Sequence, residues 1–155
     1  MNDFDPFNES TPKTSRIGFR VGFVGGVVMF FVHLILLFLM AGTNRGDWLA
    51  FLIGWFVYFF IGRSAAQEQY QLQQSSIEPM RGVREAGIGA ALVTCVMTWG
   101  GIVVRGVLRD AIGITILVDP ISLLCMMVID GFAAIGLGAK GGQTVVQKHQ
   151  NFTGY

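Results

Sequence analysis

In the stretch MMVIDGFAAIGLGAKGG, residues 126–142, one carboxylate, Asp130, stands inside an apolar run and is followed by small residues and glycines. A charge at the centre of a membrane costs roughly 2.5 kcal/mol or more, so this side chain has to be protonated, paired or turned toward a polar cavity. Three readings are open. Asp130 is a proton- or cation-binding group reached past its small neighbours; or it is hydrogen-bonded, fixing helix packing or pairing with an arginine of a neighbouring subunit; or its helix is shifted so that it meets the interface. The packing or inter-subunit reading is preferred.

His33, in MFFVHLILLF, is the one histidine inside an apolar run. A neutral imidazole there can ligate a haem- or chlorophyll-type metal or hydrogen-bond across helices. A bis-histidine haem is excluded within one chain, because His149 lies near the C-terminus. Helix packing is the preferred role, and any pigment would bring its other ligand from outside. Cys95 and Cys125 form no CxxC or Cys/His cluster and are read as small apolar residues without a role. Hydrolysis inside a membrane takes a Ser/His pair, paired aspartates or an HExxH motif. The apolar runs offer one aspartate and one histidine far apart in sequence, so no enzymatic activity is expected and no cofactor is named.

The elements that must position these groups follow from composition. Of 155 residues, 52% are hydrophobic and 14% charged, well below the roughly 25% charged of soluble domains, and mean hydropathy is +0.56. The net charge of +1, with no basic patch, gives no reason to expect a nucleic-acid partner. Crossing a hydrocarbon layer about 30 Å thick takes about 20 helical residues. Four runs approach or exceed that length, at about 17–41, 48–63, 86–104 and 120–139. The chain therefore reads as an all-α integral membrane protein with four transmembrane helices in the bilayer. Residues 1–16 form a polar N-terminal segment, 17–139 the membrane domain and 140–155 a C-terminal tail. The second helix is expected to continue past Arg63 into SAAQEQYQLQQ, which is rich in helix formers.

Lysine and arginine fall unevenly about these runs. Lys13, Arg16, Arg20, Arg63, Arg81, Arg84, Lys140 and Lys148 lie on one side, and Arg45, Arg105 and Arg109 on the other. The positive-inside bias then puts both termini in the cytoplasm, most simply at an inner membrane. Trp48, Trp55 and Trp99 suit an aromatic belt at the outer side, Trp55 somewhat deeper. In the outer connector, RGVLRDAIGITILVDP, Ile112, Ile114, Ile116 and Val118 alternate, which suggests a short interfacial or partner-facing element.

The two halves are weakly repeated. Setting GFRVGFVGGVV (18–28) over GVREAGIGAAL (82–92) aligns Gly18 with Gly82, Gly22 with Ala86 and Gly26 with Ala90, small residues four apart on one helix face, along with Arg20 over Arg84 and Gly25 over Gly89. Asp47 and Asp119 look like N-caps of the second helix of each half, and Pro120 occupies a first helical position. Such halves would be related by an axis along the membrane normal. Ala134, Gly138 and Gly142 again fall on one face of the last helix, suited to tight contact with another helix. Arg20, Arg84 and Glu85 sit where helices meet the membrane surface and read as interfacial anchors, Glu85 being neutralised by Arg20 if the two face one another.

The preferred expectation is a non-catalytic subunit whose small-residue faces pack within a larger membrane complex, against other subunits or copies of itself. The alternatives are a small homo-oligomeric proton or cation channel or transporter built on Asp130, and a pigment- or haem-associated subunit through His33. Conduction needs polar groups at several depths, and Thr94, Thr98, Ser122, Tyr58 and His33 are the few available besides Asp130.

Overall fold

The computed structural model describes residues 11–39, 45–72, 79–111 and 120–153, with side chains in 14–39, 48–72, 82–108, 110–111 and 121–148. All of these residues are helical. α1 runs Thr11–Leu39, α2 Arg45–Leu72, α3 Pro79–Ala111 and α4 Pro120–Thr153. The prolines of the described segments sit at the starts: Pro12 in the first turn of α1, Pro79 and Pro120 as the first residues of α3 and α4. There a missing N–H removes no helical hydrogen bond, and no proline interrupts a helix interior.

Each helix carries a segment long and apolar enough to cross a membrane: Thr14–Leu39, Trp48–Leu72, Gly82–Leu108 and Ile121–Lys148. The helices outrun the apolar stretches read from the sequence. α2 continues to Leu72, as its helix formers suggest, and α4 continues to Thr153, so most of the stretch expected to be a tail extends the last helix. α3 reaches Ala111, which turns the first part of the expected outer connector into helix; the alternating isoleucines and Asp119 lie outside the described residues. Asp47 is the third residue of α2, inside the first turn, not its cap.

The register of small residues fixes the packing. A Cβ on Gly18 would sit 3.3 Å from the carbonyl oxygen of Ala86, and one on Gly22 would sit 2.5 Å from that of Ala90, so α1 and α3 run parallel with their backbones nearly touching. Gly62, Gly87 and Gly138 meet at one crossing, where added Cβ atoms would come within 2.7 Å of neighbouring backbone. α2 and α4 are therefore parallel to one another and antiparallel to α3. Small residues let backbones approach this closely, and dispersion and Cα–H···O contacts hold them.

α2 and α3 form the central pair, with α1 and α4 flanking it on opposite sides; among the described residues α1 and α4 share no contact. A two-fold relation between halves would pair α4 with α1 as it pairs α2 with α3, so the packing does not reproduce the symmetry suggested by the sequence repeat. Inside lie Ala50, Phe51, Tyr58, Ala91, Cys95, Trp99 and Ala134 at one level and Ile17, Ala65, Ala86 and Ala90 at another. The outward face is strongly apolar, with Phe19, Phe31, Phe38, Phe56, Phe60 and Phe132 all exposed.

Candidate functional site

Asp130 lies eleven residues into α4 by the bounds of that helix, on the face turned to α2 and α3. It is 1% exposed. Helical spacing delivers its partners in pairs: Trp55 and Tyr58 three apart on α2, Cys95 and Trp99 four apart on α3. The Tyr58 hydroxyl donates to Oδ2 at 2.8 Å and the Trp99 indole N–H to the same oxygen at 3.1 Å. The Cys95 thiol approaches Oδ2 at 3.5 Å, and the Trp55 indole N–H donates to Oδ1 at 3.2 Å. The carboxyl group thus ties together three of the four helices.

Every one of these four groups is an uncharged donor. A shell of N–H, O–H and S–H dipoles does for a carboxylate what water would do, and fills most of its acceptor positions. The same dipoles oppose a cation, because their positive ends surround the oxygens a metal would need. Among the described residues no group of three or more His, Cys, Asp or Glu side chains comes together. Around the shell, Phe51 packs on Trp99 with ring centroids 5.5 Å apart, and a Cβ on Gly54 would sit 3.5 Å from the Tyr58 hydroxyl.

The other polar groups of the interior are mostly turned onto backbone. Thr94 donates to the carbonyls of Gly22 at 3.0 Å and Ala90 at 2.9 Å, and Thr98 donates to that of Thr94 at 2.8 Å. Ser122 is exposed. Near the opposite end, Gln69 is buried and donates to Thr14 Oγ1 at 3.1 Å. His33 is 2% exposed, and neither ring nitrogen has a hydrogen-bond partner among the described residues. Its ring lies against Gly101, where a Cβ would come within 3.1 Å. Arg105 is likewise buried and within electrostatic reach of His33. Its position in the expected outer loop is corrected, because α3 extends past it and turns it inward.

An imidazole buried with unmet hydrogen bonds is costly, so His33→Phe should raise stability by about 1 kcal/mol. A denaturant titration in micelles checks this; a loss of more than about 1 kcal/mol would show that His33 makes a necessary bond.

Of the small residues singled out in the sequence, Gly18, Gly22 and Gly26 face α3, Ala86 and Ala90 face α1, and Gly138 faces Gly87, Ala91 and Gly62. Ala134 is fully buried beside the Asp130 shell, and Gly82 is half-buried. Gly25, Gly141 and Gly142 belong to the same crossings, and of these only Gly141 is left unmarked by the small-residue pattern of the sequence. Arg20 pairs with Glu68 of α2, and Arg84 and Glu85 are exposed. That pair is exposed on the arginine side, and Arg20→Ala should change stability by less than about 1 kcal/mol in the same titration.

Sequence reading missed the Asp130 donors. By sequence the tryptophans suit a headgroup belt and Cys95 has no role, yet Trp55 and Trp99 point their N–H groups inward and Cys95 points its thiol the same way. The available signal was polar-tipped side chains at three- and four-residue spacing on two helices. Cys95 and Cys125 are both free thiols, the first buried and the second exposed on α4. Comparison with protein-family models, with curated proteins and with solved structures finds no match for this chain.

Proposed function

We propose that the chain is an integral membrane protein of an inner-type membrane, with both termini cytoplasmic, and that it serves as a non-catalytic subunit seating a hydrophobic helix of another subunit, or of a second copy, on the outer face of α4. The observation that carries this reading is the uneven burial of the spans. In α4 17% of the most apolar window is buried, against 39% in each of the other three. Ile121, Leu124, Val128, Phe132 and Ile135, spaced three and four apart, form an exposed apolar stripe opposite Asp130. Lipid-facing phenylalanines over the whole outside support the membrane setting, and the distribution of lysine and arginine supports the orientation.

The small-residue faces expected to bind other subunits are occupied within the chain, so association falls to α4. Conduction through Asp130 has less support, because uncharged donors enclose the carboxyl group and the nearby threonines bond to backbone. Pigment ligation by His33 gains none, since its ring packs on Gly101.

Purification in mild detergent, followed by mass analysis, tests the proposal. A stoichiometric partner or dimer is expected with the wild type and its loss with Phe132→Ala, a change at a residue 72% exposed that should leave the bundle folded. A monomer in both samples would overturn it. For orientation, Ser75→Cys should react only with reagent added from the cytoplasmic side.

A further inference from the structure

The looser seam between α1 and α2 carries two depressions that share one line. At the end of the bundle holding the α1 N-terminus, a pocket of about 390 Å³ is lined by Arg16, Ile17, Arg20, Glu68 and Leu72. Farther along the same two helices, an apolar groove of about 340 Å³ is lined by Val28, Ile53, Phe56, Val57, Phe60 and Ile61. Residues 20, 24 and 28 of α1 and 60, 64 and 68 of α2 repeat every four positions, and over two such steps each row turns only about 80° around its helix, so it stays on one side. Val24 and Ser64, which stand between the two sets of lining residues along α1 and α2, are both exposed. All the lining residues come from α1 and α2 alone, so the line runs along the outside of the seam, where lipid would meet it.

From these observations we infer that the α1/α2 seam holds one anionic phospholipid, its phosphodiester on Arg16 and Arg20 and one acyl chain along the groove from Val28 to Phe60. The inference rests on the membrane reading above. Two guanidinium groups against one carboxylate leave the pocket a net single positive charge, which matches one phosphodiester, and guanidinium can hold it through two N–H donors at once. Arg20 already pairs with Glu68, so Arg16 supplies the less committed cation and Glu68 accepts from a headgroup hydroxyl. Spacing agrees with a single ligand. From Arg20 to Val28 is eight residues, roughly 12 Å along the helix, which lies within the roughly 15 Å of hydrocarbon in one leaflet. Ile17 and Leu72 give the pocket an apolar floor where the glycerol ester region would rest.

The test is lipid retention by full-length protein extracted from membranes and washed extensively in detergent, with phosphatidylglycerol and phosphatidylcholine vesicles as defined probes for reloading. About one phospholipid per chain should survive washing and reload from phosphatidylglycerol at least fivefold better than from phosphatidylcholine. Arg16→Gln, a change at an exposed residue, should lower retention at least fivefold with helicity unchanged. Val57→Trp, which fills the groove and leaves the arginines intact, should do the same. Retention unchanged in both variants, or no lipid surviving washing of the wild type, overturns the site. Equal competition by inorganic phosphate or glycerophosphate overturns the acyl-chain half and leaves a headgroup-only anion site. If the protein is instead released from membranes by alkaline carbonate, the membrane reading itself fails, an outcome separate from loss of the lipid.

Discussion

Gly138→Ala should unfold or severely loosen the bundle, whereas Gly136→Ala, two residues away on the same helix, should be neutral to stabilising. One methyl group separates each variant from the wild type, and the surroundings decide the sign. A Cβ at position 138 would lie 2.7 Å from the carbonyl oxygen of Gly87, 2.8 Å from the Cβ of Ala91 and 3.1 Å from the Cα of Ile88. Those neighbours are backbone or attached directly to it, so no side-chain rotation relieves the clash and α3 and α4 have to separate. Overpacking typically costs about 1–3 kcal/mol, and a crossing clamped by backbone belongs at or above the top of that range. Nothing lies within 4 Å of a Cβ at position 136, where removing a flexible glycine from a helix gains about 0.5–1 kcal/mol. Denaturant midpoints in micelles should differ in opposite directions; equal midpoints would mean that the three-glycine crossing of α2, α3 and α4 is not as drawn.

Asp130→Ala should cost about 3–5 kcal/mol, because it takes the shared acceptor away from several buried neutral donors, each worth about 1–3 kcal/mol when left unsatisfied. Tyr58, Trp99 and Trp55 would each keep a donor aimed at an empty space, and Tyr58 is fully buried and Trp99 nearly so. Asp130→Asn keeps the shape and should cost less, about 1–3 kcal/mol, because the amide nitrogen must face donors yet the Tyr58 hydroxyl can turn to accept. Indole fluorescence gives a second readout, since Trp55 and Trp99 both lose a carboxylate acceptor. An alanine variant as stable as the wild type would remove the structural role assigned to Asp130.

Four long helices with the polar residue of the last one turned inward could be read from apolar run length and from the cost of a bare carboxylate in a membrane. The small-residue faces could be read too, because small residues four apart leave one helix side without projecting side chains. Which helix they would meet could not. Gly22 and Ala90 invite close approach equally from any helix, and the chain's own α1 and α3 take each other because they are tethered at high effective concentration. Tryptophan is ambiguous for a related reason. An indole is an apolar body with a polar edge, suited both to a headgroup and to a buried acceptor, and only the helix rotation that points Trp99 at Asp130 decides between them. Arg105 was lost to a boundary: one arginine beyond an apolar run looks like loop until the helix is seen to run on to Ala111.

Asp130 is the tie between α2, α3 and α4, and the most direct test is the coupling energy between Asp130 and Tyr58 from a double-mutant cycle of Asp130→Ala, Tyr58→Phe and the pair, by reversible unfolding in micelles. A coupling of about 1.5–3 kcal/mol is expected for a buried hydrogen bond to a carboxylate. A coupling near zero, with either single variant as stable as the wild type, would contradict the account and turn attention to Asp130 as a site for proton or ion movement.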